Sequence, residues 1–173
     1  KTAYEIKECD WSSDVCSSDL ELKNYFFVFV GKKISDNRYR IESDLINVNK
    51  SYYETIEYLS DQEYVNLICE SSLVVVPSLN EGYSHPVFDA FSFGTNVLFH
   101  KPSPAAKILE GKKGVIAADM KSSSNFLHQV QYALNKEKST TEENRDFLTS
   151  IGATWLGLTQ KYVDSYKKIL GYN

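Results

Sequence analysis

The sequence predicts an α/β domain of the Rossmann-like kind, a parallel sheet with helices on both faces, and three observations lead there. Continuous apolar runs occur at Tyr25–Val30, Leu73–Val76 and Asn96–His100. Runs this short, rich in β-branched and aromatic residues and closed by turn residues, suit strands buried on both faces. Stretches with helical spacing lie between them, so the order reads β-α-β-α-β, which specifies a parallel sheet. At 173 residues there is room for about one domain.

The strand Tyr25–Val30 ends at Gly31, and Glu54–Leu59 is a weaker strand. Ser60-Asp-Gln-Glu63 has the form of a capping box: the Ser oxygen takes an amide three residues on, and the Glu side chain returns to the Ser amide. A helix is therefore expected to start there and to end near 70–72, with Tyr64, Leu67 and Ile68 facing the sheet. Cys69 on this helix is expected to be a small core residue. After Leu73–Val76 a short helix should run from His85 to Phe93, stopped by Gly94, and Pro104 should open another that ends at Gly111. Gly114–Ala117 is a further weak strand. Phe126, Val130, Ala133 and Leu134 share one helical face, and Trp155, Leu158, Tyr162, Tyr166 and Ile169 share another. Both stripes are expected to be core faces. The polar stretch from Asn135 to Glu143 reads as a solvated connection.

Composition narrows the function classes. Hydrophobic residues at 42% against 24% charged ones are enough to build a core, which excludes a disordered chain. A net charge of −4 with scattered Lys and Arg argues against nucleic acid as a partner. Cys9, Cys16 and Cys69 show neither metal-ligand spacing nor a disulfide pattern, so a reducing, cytoplasmic compartment is expected. No apolar run approaches the roughly 20 residues of a transmembrane segment.

Residues 1–22 stand apart. Asp10 to Leu20, Asp-Trp-Ser-Ser-Asp-Val-Cys-Ser-Ser-Asp-Leu, resembles the translation of a sequencing-adapter oligonucleotide. The arm is therefore expected to be artefactual or disordered and to pack poorly, leaving 23–173 as the domain.

The chemistry is concentrated in Val76-Pro-Ser-Leu-Asn-Glu-Gly-Tyr-Ser-His-Pro-Val-Phe-Asp-Ala-Phe-Ser-Phe-Gly94. It reads strand, loop, helix, glycine. Glu81 falls in the loop beyond the carboxyl end of a central parallel strand, where open α/β sheets place their ligands. Gly82 permits close backbone approach, and the amides of Tyr83, Ser84, His85 and Pro86 lead into a helix N-terminus suited to an anion. Asp89 lies one turn in, on the same side, where it would accept hydrogen bonds from sugar hydroxyls. A surface helix merely capped and solvated by Glu81 and Asp89 is the plain alternative.

This string resembles the signature of retaining GT-B glycosyltransferases of the family-four type, Pro-Ser-x-x-Glu-Gly-(Phe/Tyr)-x-x-Pro-x-x-Glu-Ala followed by Gly and an apolar strand. The likeness extends over most of Lys23 to Leu170 and implies the nucleotide-sugar-binding, C-terminal half of such an enzyme. Glu81 matches the first Glu of the family's Glu-x7-Glu motif, beside the donor sugar, and is the catalytic candidate. Asp89 matches the second, which holds the ribose hydroxyls, and is one methylene shorter. Gly82, Tyr83 and Ser84 match the turn facing sugar and diphosphate, with His85 and Pro86 completing the donor-binding set. Ser84-His85 replaces a frequent Gly-Leu, and Pro104-Ala105 a frequent Pro-Glu.

The resemblance further implies retention at the anomeric carbon, a glycan, lipid-linked or polysaccharide-precursor acceptor, and no cofactor or metal. It places the intact protein in the cytoplasm or at the inner face of the membrane. The family's Gly-Arg…Lys-Gly segment, whose cations stabilise the departing diphosphate, is not found before Tyr25, and the acceptor-binding N-terminal domain is missing. The chain alone is therefore expected not to turn over. Competing readings are a non-catalytic nucleotide-sugar-binding or protein-interaction module and a GT-B nucleotide-sugar epimerase.

Overall fold

The computed structural model describes residues 2–6, 25–31, 53–78, 83–119 and 123–171. Six strands, β1 (Thr2–Ile6), β2 (Phe26–Val30), β3 (Tyr53–Ile56), β4 (Ser71–Val76), β5 (Val97–His100) and β6 (Val115–Ala118), form one sheet in the order β3-β2-β1-β4-β5-β6. Every pairing is parallel. The helices among the described residues are α1 (Asp61–Glu70), α2 (His85–Ser92), α3 (Pro104–Leu109), α4 (Ser123–Leu134), α5 (Thr141–Ser150) and α6 (Trp155–Leu170).

Alternation along the strands sends side chains to two cores. Val74, Val76, Val97 and Phe99 join Ile68 of α1, Val87 and Phe91 of α2, Leu109 of α3 and Leu148 of α5. Leu73, Val75, Leu98 and Ile116 point the other way, onto Phe126, Val130 and Ala133 of α4. Helices thus cover both faces, as expected. The strands and helices read from the sequence occur within one or two residues of their expected limits, except that β3 ends at Ile56 rather than Leu59, and the capping box at α1 closes in both directions.

The arm is corrected in part. Thr2–Ile6 forms a strand of the sheet: it pairs with β2 from Thr2↔Phe26 to Ile6↔Val30 and with β4 on its other side. The physical reason lies in its neighbours. Without β1, strands β2 and β4 would each present a row of unpaired N–H and C=O groups in the middle of the sheet. Thr-Ala-Tyr-Glu-Ile has the β-branched and aromatic content to fill that row. The rest of the arm, including the adapter-like string and the boundary at 23, lies outside the described residues.

Three further expectations change. Helix α5 stands where the solvated connection was expected to end; Thr140 and Glu143 close a second capping box, and the Asn144 amide donates to the Phe91 carbonyl at 2.6 Å. Cys69 is exposed, because Ile68 takes the inward position on α1 and the next residue turns about 100° away. The α6 stripe is not a core face. Leu158 is half-buried, but Tyr162, Tyr166 and Ile169 are 67%, 64% and 78% exposed; the Trp155 side chain lies outside the description. Both faces of the sheet are already covered, and α6 is tied at its first turns, where Gly157 approaches the Gly152 backbone and the Lys161 ammonium donates to the Ile151 carbonyl at 2.9 Å.

Two stability predictions follow from these contacts. Gly94, at φ 73°, ends α2, and an added Cβ would stand 3.0 Å from the Ser139 carbonyl oxygen. Gly94→Ala should lower stability by about 1–2 kcal/mol, the left-handed penalty plus crowding, read from urea unfolding. The Glu63 carboxyl is held below its ordinary range by the Ser60 hydroxyl and then the Ser60 amide, and that of Glu143 by the Thr140 amide and then its hydroxyl. A lowered carboxylate contributes stability that is complete above its unfolded value and is lost as pH falls through the folded one. The thermal midpoint should therefore decline more steeply with acid in the native chain than in a Glu63→Gln, Glu143→Gln double variant.

Candidate active site

Strand order reverses between β1 and β4, and crevices of this kind, outside the carboxyl ends of parallel strands, are where doubly wound sheets take ligands. β4 leads straight to this edge through Pro77 and the buried Ser78. Glu81 and Gly82, the catalytic candidate and its neighbour, lie outside the described residues. The chain is described again at Tyr83, one residue before the Ser84 N-cap of α2.

The start of α2 is held open. The Ser84 carbonyl accepts from Val87 (3.1 Å) and Phe88 (3.3 Å), which satisfies the inner amides of the first turn. Pro86 has no N–H, and its fixed φ suits the first turn. Of the four residues Tyr83 to Pro86, three therefore offer amides, and nothing among the described residues accepts from them. The Ser84 Oγ makes no capping bond and is buried with no hydrogen-bond partner. No acidic residue occupies the first turn to compete for the positive end of the helix dipole. An anion here would gain about 0.3–1 kcal/mol from the dipole, and up to about 2 when partly buried.

Aromatic packing shapes the outer wall. The Tyr83 ring stacks on Phe88 with centroids 4.4 Å apart and 3° between planes, and meets the exposed His85 ring edge-on at 5.2 Å. Partial burial pushes the Tyr83 phenol above its ordinary range, and the negative charge of Asp89 adds to the shift. Asp89 is half-buried, and its Oδ2 accepts a 2.8 Å hydrogen bond from the Tyr64 hydroxyl of α1. The structure thus places Tyr83, Ser84, His85 and Pro86 at one helix N-terminus, with Asp89 one turn in. Tyr64 was legible only as an apolar position on α1. Its link to Asp89 spans 25 residues and leaves no local signal.

The sequence pattern named Glycosyl transferases group 1 matches residues 14–147, more than half of the chain. The chain belongs to this glycosyltransferase family. Solved structures agree in fold. A glycosyltransferase from Rickettsia africae ESF-5 superposes with a TM-score of 0.77 at 15% identity, covering 99% of this chain and 48% of its own. Sucrose-phosphate synthase from Thermosynechococcus elongatus gives 0.75 at 13% identity, covering 99% and 46%. An E. coli structure described as trehalose-6-phosphate bound with UDP-2-fluoro glucose gives 0.69 at 10% identity, covering 95% and 43%. These neighbours are GT-B glycosyltransferases, and the Rossmann-like half of that fold expected from the sequence is the one observed. The chain spans about half the length of the solved structures it matches. No curated protein sequence matches it. Among the described residues of this family member, no helix is long and apolar enough to cross a membrane, and no three His, Cys, Asp or Glu side chains gather as metal ligands.

The Tyr83 environment is directly measurable. In a chain labelled at the tyrosine ζ-carbons, Tyr83 should titrate above the ordinary range of a tyrosine phenol. Asp89→Asn, which removes the negative charge but keeps the shape, should bring Tyr83 part of the way down and leave the remainder due to burial.

Proposed function

We propose that this chain is the donor-binding half of a retaining glycosyltransferase, which moves a sugar from a nucleotide-sugar donor to a glycan or polysaccharide-precursor acceptor held by a second domain. The observation that carries the reading is the open N-terminus of α2 at the strand-order reversal, with the Ser84 hydroxyl buried beside it and Asp89 one turn in. In this reading the amides of Tyr83, Ser84 and His85 take the diphosphate, and the Ser84 hydroxyl gains the partner it lacks within the fold. Leaving such a hydroxyl unsatisfied costs about 1–3 kcal/mol, so a ligand oxygen at that point recovers binding energy. Asp89 accepts from the ribose, and Glu81 lies against the donor sugar. Helix amides and protein cations, rather than a metal ion, neutralise the leaving diphosphate, as in the family that the motif resembles. The neighbour bound with UDP-2-fluoro glucose supports the ligand class. Because the chain spans about half the length of the solved structures it matches, this reading has it bind donor by itself without transferring sugar.

Calorimetric titration with UDP, GDP and ADP, and then with the matching nucleotide-glucose, tests the assignment. Asp89→Ala should weaken the bare diphosphate about tenfold or more, the usual effect of losing a hydrogen bond to a charged group. Glu81→Ala should spare the bare diphosphate and weaken only the sugar-bearing form. Equal binding by the native chain and Asp89→Ala would remove the donor-site reading, and sugar transfer by the chain alone would remove the claim that it only binds.

A further inference from the structure

The structure assigns Tyr64 of α1 as a positioning residue for the donor site: its hydroxyl fixes the Asp89 carboxylate so that the second carboxylate oxygen faces the ribose. The inference rests on the donor-site reading above and adds a residue from a different helix to it. Its basis is the 2.8 Å bond from the Tyr64 hydroxyl to Asp89 Oδ2, which joins α1 to α2 across 25 residues of sequence. The Tyr64 ring is half-buried and packs against the core beside Leu67 and Ile68, so the hydroxyl is delivered from a rigid base. Asp89 Oδ1 accepts no hydrogen bond among the described residues.

The geometry has a chemical consequence. A carboxylate free at both oxygens samples several side-chain orientations, and ordering it on binding costs part of what each new hydrogen bond returns. A charge-assisted bond to one oxygen sets the plane of the carboxylate before the ligand arrives. The remaining oxygen is then left to a ligand. A short side chain such as Asp, with two rotatable bonds, is fully defined by one such contact. Tyr64 therefore acts through Asp89 on ribose recognition and touches no ligand itself.

The test is a comparison of ribo- with deoxyribonucleotides on the full chain. Affinities for UDP, GDP and ADP and their 2′-deoxy and 3′-deoxy counterparts are measured in the native protein, Tyr64→Phe, Asp89→Asn and the double variant, with Tyr162→Phe on the exposed face of α6 as control. The native chain should favour a ribo form over at least one deoxy form by about tenfold, and Tyr64→Phe should reduce that ratio about fivefold while changing deoxy affinity less than about twofold. In the Asp89→Asn background, Tyr64→Phe should have no further effect on the ratio. Tyr64→Leu, which keeps apolar packing, gives the same reading should the Phe variant lose its fold by circular dichroism. An unchanged ratio in Tyr64→Phe, or equal weakening of ribo and deoxy forms, overturns the positioning role and leaves the donor-site reading intact. An unchanged ratio in Asp89→Asn, or no saturable binding of any of the three diphosphates by the native chain, overturns the donor-site reading and the role of Tyr64 with it.

Discussion

The parallel pairing of Thr2–Ile6 with Ser71–Val76 is the contact on which the rest of the arrangement depends, because the strand order changes direction there. Strands added on one side of β1 run back through β2 and β3, and those on the other run forward through β4, β5 and β6. At such a reversal, open parallel sheets take their ligands outside the carboxyl ends of the strands. β4 is the stiff side of that reversal. Its side chains are buried on both faces, with Leu73 and Val75 in one core and Val74 and Val76 in the other, so the loop that follows starts from a fixed point. Without β1, the same β4 would be an edge strand.

What happens next is a matter of hydrogen-bond accounting. Helix N-termini usually satisfy their first amides with a Ser, Thr, Asp or Asn side chain, and α1 and α5 do so through complete capping boxes. α2 has a serine in the same position and does not use it. Pro86 removes one donor, the Ser84 carbonyl takes the inner amides, and the remaining donors and the Ser84 hydroxyl are left for something else. α6 likewise caps itself through Thr154, whereas α3 shares the α2 arrangement, with Ser103 making no capping bond and its Oγ buried without a partner; what sets α2 apart is its place after β4, at the strand-order reversal.

How far this was legible in the sequence differs from element to element. The strands and most helices were plain because their signals are local: apolar runs of strand length, the Ser60–Glu63 box, Gly94 and Gly111 with positive φ at helix ends. The motif from Pro77 to Gly94 leads to a helix start at Ser84–His85 with Asp89 one turn in, and the structure shows that order, because strand-loop-helix order alone fixes it. α5 too has a local signal, Thr140 and Glu143 at capping-box spacing, but it lies in a stretch whose polar composition reads as a solvated connection. β1 failed for a different reason: its worth depends on β2 and β4, distant in sequence, and no window around Thr2–Ile6 contains either. The α6 stripe shows the converse error, since amphipathic spacing tells which face is apolar but not whether anything covers it.

The pairing of Tyr64 with Asp89 belongs to the same class as β1, a relation between distant residues that each carry an ordinary local role. At Tyr64 the hydroxyl is a polar group on a side chain whose ring is needed for packing, and buried tyrosines ordinarily find a partner for that hydroxyl. At Asp89 a carboxylate in the middle of a short helix gains nothing from the dipole, which favours acids only in the first turn. Each residue by itself is mildly out of place. Together they make sense, because the tyrosine hydroxyl offsets the partial desolvation of the carboxylate and the carboxylate satisfies the hydroxyl. Tyr83 adds to this from the other side: its ring is held flat on Phe88 near enough to feel the Asp89 charge, which disfavours its own ionisation. Tyr64 donates to one Asp89 oxygen, and in the proposed donor-site reading a neutral hydroxyl-bearing ligand suits the other better than a second anion would.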